Sequence, residues 1–319
     1  MKVLVTGAAG FIGSHLCERL LKRSELEVIG IDDYIGPTPF LLKQKNLEGM
    51  EAHPRFHFIH GNLLTLPLKT LLQDVDVIYH LAAIPGVRSS WGKDFEPYVS
   101  NNIMATQKLL EVCKGAKRLK RFIYASTSSI YGERDGKVSE DLAPMPLSPY
   151  GVTKLSGEHL CHVYKESFHI PIIVLRYFTV YGPRQRPDMA FHIFIRQMLL
   201  GEPITIFGDG TQSRDFTFIT DCVKGTEAAM NADGLVGETI NIGGKERASV
   251  LEILSLLEEI SGITVQKNFL DKVNGEPKHT WADISKANEL LHYSPNVTLK
   301  EGLREAFQYF TTLYRSENK

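Results

Sequence analysis

The feature that most constrains the fold is a glycine-rich turn near the start of the sequence. Gly7, Gly10 and Gly13 lie between an apolar, β-branched run at residues 3–6 and an amphipathic segment at residues 11–22. A strand, a glycine turn and a helix in this order bring backbone N–H groups and a helix N-terminus to one point, where a diphosphate can bind. Glycine permits the close approach because it lacks a Cβ atom. A tight turn without a ligand is the alternative, but its place at the opening of a βαβ unit favours dinucleotide binding.

Strand-like and helix-like segments alternate over the first half of the chain, which is typical of a parallel sheet covered by helices. The further predicted strands lie at residues 27–32, 55–60, 75–82, 121–127 and 171–177. The further predicted helices lie at residues 97–114, 150–168, 249–260, 285–291 and 299–314. Glycine and proline concentrate at residues 182–187 and 201–210, which predicts loops there. The predicted fold class is α/β, with a doubly wound parallel (Rossmann) sheet and a smaller C-terminal substrate-binding part.

This pattern predicts a dinucleotide-binding domain at residues 1–178 and a mainly substrate-binding part at residues 179–319. Residues 240–244 have the pattern of another buried strand. We therefore expect some segments of the second region, at about residues 214–244, to rejoin the first domain.

Two acidic residues, Asp32 and Asp33, end the second predicted strand. A carboxylate at this point accepts hydrogen bonds from the adenosine ribose of a dinucleotide and repels a 2′-phosphate. No arginine follows directly, which favours NAD over NADP as the cofactor. A helix cap or a solvated turn is the alternative, and for Asp33 alone the two interpretations are evenly balanced.

Tyr150 and Lys154 lie four positions apart in a predicted helix, so they share one helix face. A free tyrosine, with a pKa near ~10, is a poor base at neutral pH. A lysine ammonium and an oxidised nicotinamide nearby both favour the phenolate, which suits Tyr150 to general acid–base catalysis. An ordinary surface pair is the alternative. The hydroxyl cluster at residues 126–129 favours catalysis, because buried hydroxyls without partners are costly.

The bulk composition excludes several classes of function. The formal net charge is −1, so the chain lacks the basic surface that nucleic acid or an anionic membrane attracts. No apolar run approaches the ~18 residues that span a bilayer, and the N-terminus has no signal-peptide pattern. The four cysteines are widely separated, which predicts reduced thiols in the cytoplasm. His159, His162 and Glu166 share a helix face, but core or surface roles are favoured and no metal site is predicted.

The glycine turn, the hydroxyl-rich strand end and the Tyr-x-x-x-Lys helix together resemble the extended short-chain dehydrogenase/reductase family over essentially the whole chain. Residues 80–83 (HLAA), 176–184 (RYFTVYGPR) and 214–216 (RDF) indicate its sugar-nucleotide branch. Within that branch, residues 178–183 (FTVYGP) and 186–191 (RPDMAF) are most similar to UDP-glucuronate 4-epimerases. The resemblance implies an NAD-dependent epimerase acting on a UDP-sugar. It also implies a homodimer formed by the helices predicted at residues 97–114 and 150–168.

The resemblance further implies a set of site residues. The catalytic triad is Thr127, Tyr150 and Lys154. The predicted cofactor contacts, besides Tyr150 and Lys154, are Gly7, Gly10, Phe11, Ile12, Gly13, Asp32, Asp33, Lys43, Asn62, Leu63, Leu81, Ala82, Ala83, Asn102 and Tyr177. Asn62 and Leu63 are placed near the adenine, and Ala82 and Ala83 along the pyrophosphate and ribose. The predicted substrate contacts, besides Thr127 and Tyr150, are Pro85, Gly86, Arg88, Ser128, Ser129, Thr179, Arg186, Arg214 and Glu276.

The chain departs from its relatives at three places. Many relatives have asparagine in place of Thr179, and many have aspartate in place of Asn62. An arginine that often holds the nucleotide is missing near residues 273–274, where this chain has valine and asparagine, and Lys272 and Arg186 are candidates to replace it.

Several reactions share such a scaffold. A 4,6-dehydratase needs a carboxyl pair where this chain has Ser128 and Ser129, and a UDP-glucuronate decarboxylase usually has glutamate at position 129. The hydroxyls of residues 127–129 and Thr179 are expected to hold the substrate carboxylate in an orientation that prevents loss of CO₂. Arg88 is another candidate for this carboxylate, with a solvated loop charge as an equally weighted alternative.

Arg186 and Arg214 are the candidates for the diphosphate, because guanidinium groups make bidentate phosphate contacts. Residues 204–207 could flank the uracil through backbone groups, although a core strand explains them equally well. The alternatives in function are a 4-epimerase of UDP-galactose or UDP-N-acetylhexosamine and, less favoured, a UDP-glucuronate decarboxylase. A non-enzymatic NAD(P)-sensing protein is disfavoured because such proteins typically lack the intact Tyr-x-x-x-Lys pattern.

Overall fold

The apolar runs predicted to be strands form one parallel sheet of seven strands, which confirms the predicted fold class. The computed structural model describes residues 1–272 and 275–317, with side chains described up to residue 315. In chain order the strands are β1 (Lys2–Thr6), β2 (Glu27–Asp32), β3 (Phe56–His60), β4 (Val77–His80), β5 (Arg121–Thr127), β6 (Ile172–Tyr177), β7 (Val180–Tyr181), β8 (Ile204–Phe207), β9 (Ser213–Phe218), β10 (Thr239–Ile242), β11 (Glu246–Ser249) and β12 (Lys267–Leu270).

The spatial order of the central sheet is β3-β2-β1-β4-β5-β6-β10. The order reverses between β1 and β4, so their connections leave in opposite directions and open a crevice at the carboxyl ends of the strands. The helices around the sheet are α1 (Phe11–Leu21), α2 (Phe40–Glu51), α3 (Leu68–Leu71), α4 (Glu96–Tyr98), α5 (Ala105–Cys113), α6 (Pro149–Phe168), α7 (Ala190–Leu200), α8 (Ile219–Ala228), α9 (Val250–Ser261), α10 (Ser285–Leu291) and α11 (Leu299–Glu317).

Alternating side chains of the central strands build an apolar core on each face of the sheet. On one face, Val3 of β1 belongs to the same buried cluster as Leu16 of α1. On the other face, Leu4 of β1 belongs to a cluster with Leu109 of α5 and Cys161 of α6. Burial of each large aliphatic side chain contributes about 1.5–3 kcal/mol, so both faces hold the sheet rigidly beneath the crevice.

After β6 the chain leaves the central sheet and later returns to it. β10 pairs in parallel with β6, with Asn241 opposite Arg176. The remaining strands form two small sheets, one of β11, β9 and β7 and one of β12 and β8. The C-terminal region therefore contributes both to the central sheet and to the separate small sheets.

The continuous helix predicted at residues 97–114 is interrupted. A π-helical turn at Val99–Met104 separates α4 from α5. Within that turn, the Asn102 side chain bonds to both backbone groups of Ile84 and to the Thr153 hydroxyl. These tertiary contacts, rather than the local sequence, explain the widened turn, and such turns are frequent at functional sites.

The loop predicted at residues 201–210 contains a strand. β8 pairs in parallel with β12, and its alternate residues Ile204 and Ile206 are buried in the main apolar cluster. Burial of these two side chains outweighs the flanking glycines. The strand predicted at residues 75–82 is shorter, Val77–His80, because the chain turns into the cavity wall after His80.

Ser249 is expected to stabilise α9 through its capping box. Its hydroxyl accepts a hydrogen bond from the Glu252 N–H at 3.3 Å, and the Glu252 carboxylate accepts one from the Ser249 N–H at 2.7 Å. Ser249→Ala should lower the free energy of unfolding by about 1 kcal/mol, measured from the urea midpoint at constant m value. Ser255→Ala is the control, since its hydroxyl bonds only to the Leu251 carbonyl of the same helix. Equal midpoints for the two variants would contradict the capping role.

Candidate active site

The glycine turn forms a crowded cradle between β1 and α1. Gly7 has φ +75°, and a Cβ atom there would lie 2.9 Å from the backbone nitrogen of Ala82. A Cβ atom on Gly13 would lie 2.1 Å from the carbonyl oxygen of Gly7. Neither position accommodates a side chain, so the N-terminus of α1 lies directly against the end of β1. The free amides of that helix end and the close backbone fit the pyrophosphate of a dinucleotide.

One cavity, called here the cofactor cavity, gathers nearly all the predicted cofactor contacts. It lies at the carboxyl ends of the strands, where the strand order reverses. Its lining includes Gly7, Gly10, Phe11, Ile12, Gly13, Asp32, Asp33, Lys43, Asn62, Leu63, Leu81, Ala82, Ala83, Tyr150, Lys154 and Tyr177. Pro85 and Arg186, two of the predicted substrate contacts, also line it.

Asp32 is buried and paired with Lys43. Its Oδ1 accepts hydrogen bonds from Lys43 Nζ at 2.9 Å and from the Tyr34 N–H at 2.8 Å, and its Oδ2 accepts one from the Ala9 N–H at 3.1 Å. Each carboxylate oxygen has two acceptor sites, so Oδ2 keeps capacity for a ribose hydroxyl. Lys43 also donates to the Ile35 carbonyl at 2.9 Å. The pair places a fixed carboxylate and a fixed ammonium together at the end of β2.

Asp33 is held by Asn62. The Asn62 Nδ2 donates to Asp33 Oδ2 at 2.9 Å, while its Oδ1 accepts a hydrogen bond from the Leu64 N–H at 2.9 Å. An amide side chain both donates and accepts hydrogen bonds, and this position uses both properties. An aspartate here, as in many relatives, would face Asp33 with a like charge, so the asparagine suits its surroundings in this chain.

His80 organises the loop that follows β4. Its Nδ1 lies 2.8 Å from the Thr6 hydroxyl and its Nε2 lies 2.9 Å from the Thr106 hydroxyl. Burial lowers the pKa of His80 to about 3, so the ring is neutral. Thr6 Oγ1 also accepts a hydrogen bond from the Ala82 N–H at 3.1 Å. The histidine thereby fixes the backbone that faces the glycine turn.

Asn102 lies behind the wall of the cofactor cavity and does not line it. Its Oδ1 accepts a hydrogen bond from the Ile84 N–H at 2.7 Å, and its Nδ2 donates to the Ile84 carbonyl and to Thr153 Oγ1, each at 3.0 Å. The side chain of Asn102 joins the loop after β4 to α6, and its contact with the cofactor stays a prediction. The neighbouring Asn101 lines the cavity.

Tyr150 and Lys154 lie in the first turns of α6, and both line the cofactor cavity. Ser148 caps this helix by accepting a hydrogen bond from the Gly151 N–H at 3.1 Å. Thr127 ends β5, and its side chain lies close enough to Tyr150 to act on the pKa of the phenol. The three predicted catalytic residues thus meet at one point.

The protein environment acts on the acidity of Tyr150 in opposing directions. Burial is the largest effect and raises the pKa of Tyr150, whereas the charge of Arg186 and the hydrogen bond from Thr127 lower that pKa. The spacing of Tyr150 and Lys154 predicts Lys154 as the activating charge, and Arg186 is an additional one that the sequence did not indicate. Burial lowers the pKa of Lys154 to about 8, against the influence of Cys161 and Glu158.

Neutral hydroxyls follow the ends of two adjacent strands, β5 and β6. Thr127 is paired in register with Tyr177 of β6, so residues 128–129 and Thr179 leave the sheet side by side. Thr127 Oγ1 lies 3.2 Å from Ser129 Oγ and accepts a hydrogen bond from the Ser129 N–H at 3.1 Å. In the described chain, the hydroxyls of Ser128 and Thr179 have no hydrogen-bond partner, although both residues are half-buried. Such hydroxyls are available to a polar ligand.

A second cavity lies beside the C-terminal sheets, and Arg88, Arg214 and Glu276 line it. Glu276 bridges the two arginines, with Oε1 2.6 Å from Arg88 Nε and Oε2 3.3 Å from Arg214 Nη2. The Arg88 guanidinium also lies 4.5 Å from the centre of the Phe207 ring. Lys272 and Lys278 also line the cavity, and its acidic side chains are Asp209 and Glu276. Four cationic side chains against two acidic ones favour an anionic ligand.

The structure does not bring Arg186 together with Arg214, the two predicted diphosphate contacts. Arg186 lines the cofactor cavity and pairs with Asp188 at 3.0 Å, whereas Arg214 lines the second cavity. Lys272, the other candidate for nucleotide binding, lies with Arg214. Residues 273 and 274, where relatives have an arginine, lie outside the described residues. Gly86 lies in neither cavity lining, between Pro85 and Arg88.

Tyr98 is a residue of the site that the sequence did not reveal. Its ring lies 6.2 Å from the Tyr150 ring, edge to face. Its hydroxyl lies 2.7 Å from Ser89 Oγ and donates to the carbonyls of Pro85 and Gly86, each at 3.1 Å. Tyr98 therefore ties the loop that spans the two cavities to the catalytic tyrosine. A tyrosine within a predicted helix gave no signal of this role.

Residues 1–272 and 275–317 contain neither a cluster of metal ligands nor a membrane-spanning helix. No group of three or more histidine, cysteine, aspartate or glutamate side chains there is arranged to hold a metal ion. In that same part of the chain, no helix combines the length and the apolar character that a bilayer crossing needs.

Comparison with known proteins identifies several close likenesses. The sequence model of the NAD dependent epimerase/dehydratase family matches residues 3–243. An uncharacterised UDP-glucose epimerase of Bacillus subtilis, YtcB, is 63% identical over 317 residues, which cover 99% of this chain and all of that protein. A UDP-glucuronate 4-epimerase of Thermodesulfobacterium geofontis is 40% identical over 96% of this chain and 95% of that protein.

Solved structures agree with these sequence matches. The crystal structure of UDP-glucuronic acid 4-epimerase from Bacillus cereus, in complex with UDP-glucuronic acid and NAD, is 66% identical with a TM-score of 0.97. It is matched over 98% of this chain and all of that chain. The central sheet and the cofactor cavity described above therefore have a counterpart in a protein crystallised with NAD.

The Asp32–Lys43 pair is expected to set the preference for NAD over NADP. A 2′-phosphate would be repelled by the Asp32 carboxylate, and Asp32→Asn would leave the Lys43 ammonium free to attract it. This substitution should reduce the ratio of the NAD affinity to the NADP affinity by about tenfold or more, as measured by calorimetry. Asp33→Asn is the matched control, with an unchanged ratio expected. Equal affinities of the unmodified protein for both dinucleotides would show that Asp32 does not face the ribose.

Proposed function

Because the chain belongs to the NAD dependent epimerase/dehydratase family, we propose that it interconverts UDP-glucuronate and UDP-galacturonate by inverting C4 of the sugar. The group of neutral hydroxyls around Tyr150 carries this proposal. Two similar proteins support the same substrate. The relative from Thermodesulfobacterium geofontis is a UDP-glucuronate 4-epimerase, and the structure from Bacillus cereus contains UDP-glucuronic acid and NAD. When bound, NAD supplies the acceptor and donor of the C4 hydride, and the enzyme regains it unchanged after each turnover.

Tyr150 moves the proton of the C4 hydroxyl. Its phenolate oxygen accepts this proton as the alcohol becomes a ketone, and its phenol returns the proton when the opposite face of C4 is reduced. The hydrogen bond from Thr127 and the charge of Arg186 both lower the pKa of Tyr150 against its burial. Lys154 adds a positive charge on the same helix face, and this charge favours the phenolate.

The 4-keto sugar is a β-keto acid and loses CO₂ readily unless its carboxylate is held. The hydroxyls of Ser128, Ser129 and Thr179 offer neutral donors beside Tyr150. Hydrogen bonds from these groups fix the plane of the carboxylate and keep the C5–C6 bond out of line with the C4 carbonyl π system. The stabilised enolate that decarboxylation requires then cannot form. No carboxyl group lies at position 128 or 129 to assist elimination of water.

The second cavity is the proposed place of the UDP moiety. The guanidinium groups of Arg88 and Arg214 suit the diphosphate, and Glu276 holds the two side chains in position. Phe207, at the end of β8, gives the cavity an aromatic wall next to Arg88. The loop from Pro85 to Arg88 joins the two cavities, so one substrate can extend from Tyr150 to Arg214.

We further propose that the enzyme is a cytoplasmic homodimer that pairs α5 and α6 with their copies. Met104, in the turn before α5, and three residues of α6, Val152, Val163 and Phe168, are 46–53% exposed. Exposed apolar side chains of this kind are typical of a subunit interface.

Product analysis tests the substrate directly. The enzyme is incubated separately with UDP-glucuronate and with UDP-glucose, and the products are identified by NMR. UDP-galacturonate from the first substrate is the expected result. Interconversion of UDP-glucose and UDP-galactose alone would replace the proposal with the function named for the Bacillus subtilis relative. UDP-pentose as the main product would establish a decarboxylase.

Tyr150→Phe should reduce turnover by at least ~10²-fold, because it removes the acid–base hydroxyl and keeps the ring. Steady-state rates with UDP-glucuronate measure this loss. NAD affinity, measured in parallel, should stay nearly unchanged and controls for a distorted cavity. Near-normal turnover in the variant would remove Tyr150 from the chemistry.

Ser129→Ala combined with Thr179→Ala should release part of the substrate as UDP-pentose. Each lost hydrogen bond to the charged carboxylate costs on the order of 1.5–3 kcal/mol, so the carboxylate gains freedom to align its C–C bond. NMR of the product mixture measures the ratio of pentose to galacturonate. The control is Ser255→Ala with Thr312→Ala, two hydroxyls that bond only to backbone carbonyls of their own helices. A pentose ratio identical to that of the control would show that these hydroxyls do not restrain the carboxylate.

A further inference from the structure

The ammonium group of Lys154 is buried without a hydrogen-bond acceptor from the protein. The residue is 3% exposed, and among the described residues none accepts a hydrogen bond from its Nζ. Its Nζ instead lies 4.1 Å from the centre of the Tyr124 ring. A buried charge needs compensation, since transfer out of water disfavours the ionised form. On the protein side of the cofactor cavity, the contact that Lys154 makes is with this ring and not with a carboxylate.

Tyr124 is fixed in a position to compensate that charge. It lies in β5, is fully buried, and its hydroxyl donates to the Lys154 carbonyl at 3.4 Å. Gly157, one turn after Lys154, allows the ring to lie against α6: a Cβ atom there would be 2.0 Å from the Tyr124 hydroxyl oxygen. The negative face of the ring is thereby held against the ammonium, which is the geometry of a cation–π contact.

Glu158 supplies a fixed negative charge that acts on Lys154. It lies four residues after Lys154 on the same face of α6 and is 8% exposed. Its carboxylate accepts hydrogen bonds from Arg176 Nε at 3.1 Å and Nη2 at 2.7 Å, and from the Ser126 hydroxyl. Tyr131 holds the far side of Arg176, with its hydroxyl 2.8 Å from Nη1. The carboxylate cannot swing away from the helix, because both its oxygens are held.

The other titratable groups facing Lys154 carry no compensating charge. Cys161 lies on the same helix, and burial raises the pKa of its thiol, so it is uncharged at neutral pH. His80 of β4 is held neutral by its burial. Tyr150 is the group that the Lys154 charge supports, and its own charge changes as it takes up and returns the proton. Glu158 is therefore the permanent anion of this group, and Tyr124 supplies the aromatic face.

We propose that Tyr124 and Glu158 are positioning residues that keep Lys154 protonated and directed into the cofactor cavity, Tyr124 by its ring face and Glu158 by its charge. This inference rests on the proposed function only in assigning the Lys154 ammonium to the support of Tyr150. Loss of either residue destabilises the ammonium, so Lys154 releases its proton at lower pH. Above that pH the phenolate of Tyr150 lacks the lysine charge, and the alkaline side of the activity profile moves to lower pH.

The test compares Tyr124→Leu, which removes the ring, with Tyr124→Phe, which keeps the ring face and loses only the hydroxyl. Glu158→Gln removes the charge and keeps the shape. The titration of Lys154 is followed by NMR of ¹⁵Nζ-labelled lysine in the enzyme as purified, with the signal assigned by its loss in Lys154→Met. The pH dependence of kcat/KM is measured in parallel.

Tyr124→Leu and Glu158→Gln should each lower the titration midpoint of Lys154 by about one pH unit, the size expected for a desolvated cation–π or charge contact. Tyr124→Phe should leave the midpoint nearly unchanged. If Glu158→Gln fails to fold because Arg176 is left unpaired, Glu158→Gln with Arg176→Met removes both charges at similar volume. Should Tyr124→Leu fail to fold, Tyr124→Met is the second variant without a ring, because its unbranched side chain reaches further into the same space at similar volume.

An unchanged Lys154 midpoint in Tyr124→Leu and Glu158→Gln would overturn the proposal. A shift in Tyr124→Phe equal to that in Tyr124→Leu would overturn the role of the ring face in favour of the hydroxyl. The NMR titration needs no substrate, so it separates this inference from the proposed function. An enzyme without activity on UDP-glucuronate whose Lys154 midpoint shifts as expected would reject the substrate and support both positioning roles.

Discussion

The backbone at Gly13 lies so close to the Gly7 carbonyl that no side chain fits between them, and this contact seats α1 on the end of β1. The same helix then anchors the far side of the site. Arg184, with φ +65°, donates to Ser14 Oγ at 3.3 Å and to Glu18 on the outer side of α1. Arg184 stands two residues before Arg186, whose charge acts on Tyr150. The glycine turn thus seats one end of α1, and Ser14 and Glu18 of the same helix hold the loop that carries Arg186.

Buried charged side chains connect elements of the fold that the contact between Gly7 and Gly13 does not join. The pair of Glu158 and Arg176 joins α6 to β6, and the Tyr131 hydroxyl extends it to Asn241 of β10 at 2.7 Å. A buried pair of this kind gains little net stability, since desolvation offsets its attraction. The pair instead fixes the position of α6 against the sheet. The Glu158 carboxylate also acts on the charge of Lys154, so one group serves both the packing of α6 and the proposed chemistry.

The elements predicted from sequence were those with a local signal. β5 and α10 have the bounds expected from their apolar periodicity, because burial of one face is encoded within the segment itself. The π-helical turn in Val99–Met104 depends on what Asn102 meets across the structure, and no local pattern shows this. The glycines that flank β8 predict a loop at residues 201–210, and the sequence leaves a core strand at 204–207 as an alternative to uracil binding.

The residues of the site also divide into those with a local sequence signal and those that depend on tertiary contacts. Tyr150, Lys154 and the glycine turn were found because their spacing within one segment carries the chemistry. The sequence could not show that Arg186 and Arg214 line different cavities, because this depends on how two distant loops are placed. Glu158 and Arg176 did leave a signal, as charged residues within buried segments require partners. The sequence could not show that they were partners of each other.

The central claim is that one enzyme-bound cofactor removes the C4 hydride and returns it to the opposite face of the same sugar. UDP-glucuronate carrying deuterium at C4 tests it most directly, with the product examined by NMR and mass spectrometry. The account predicts UDP-galacturonate that keeps the deuterium at C4, because the hydride never leaves the closed site. Product with hydrogen from water at C4, or a labelled UDP-pentose in place of the uronate, would contradict it.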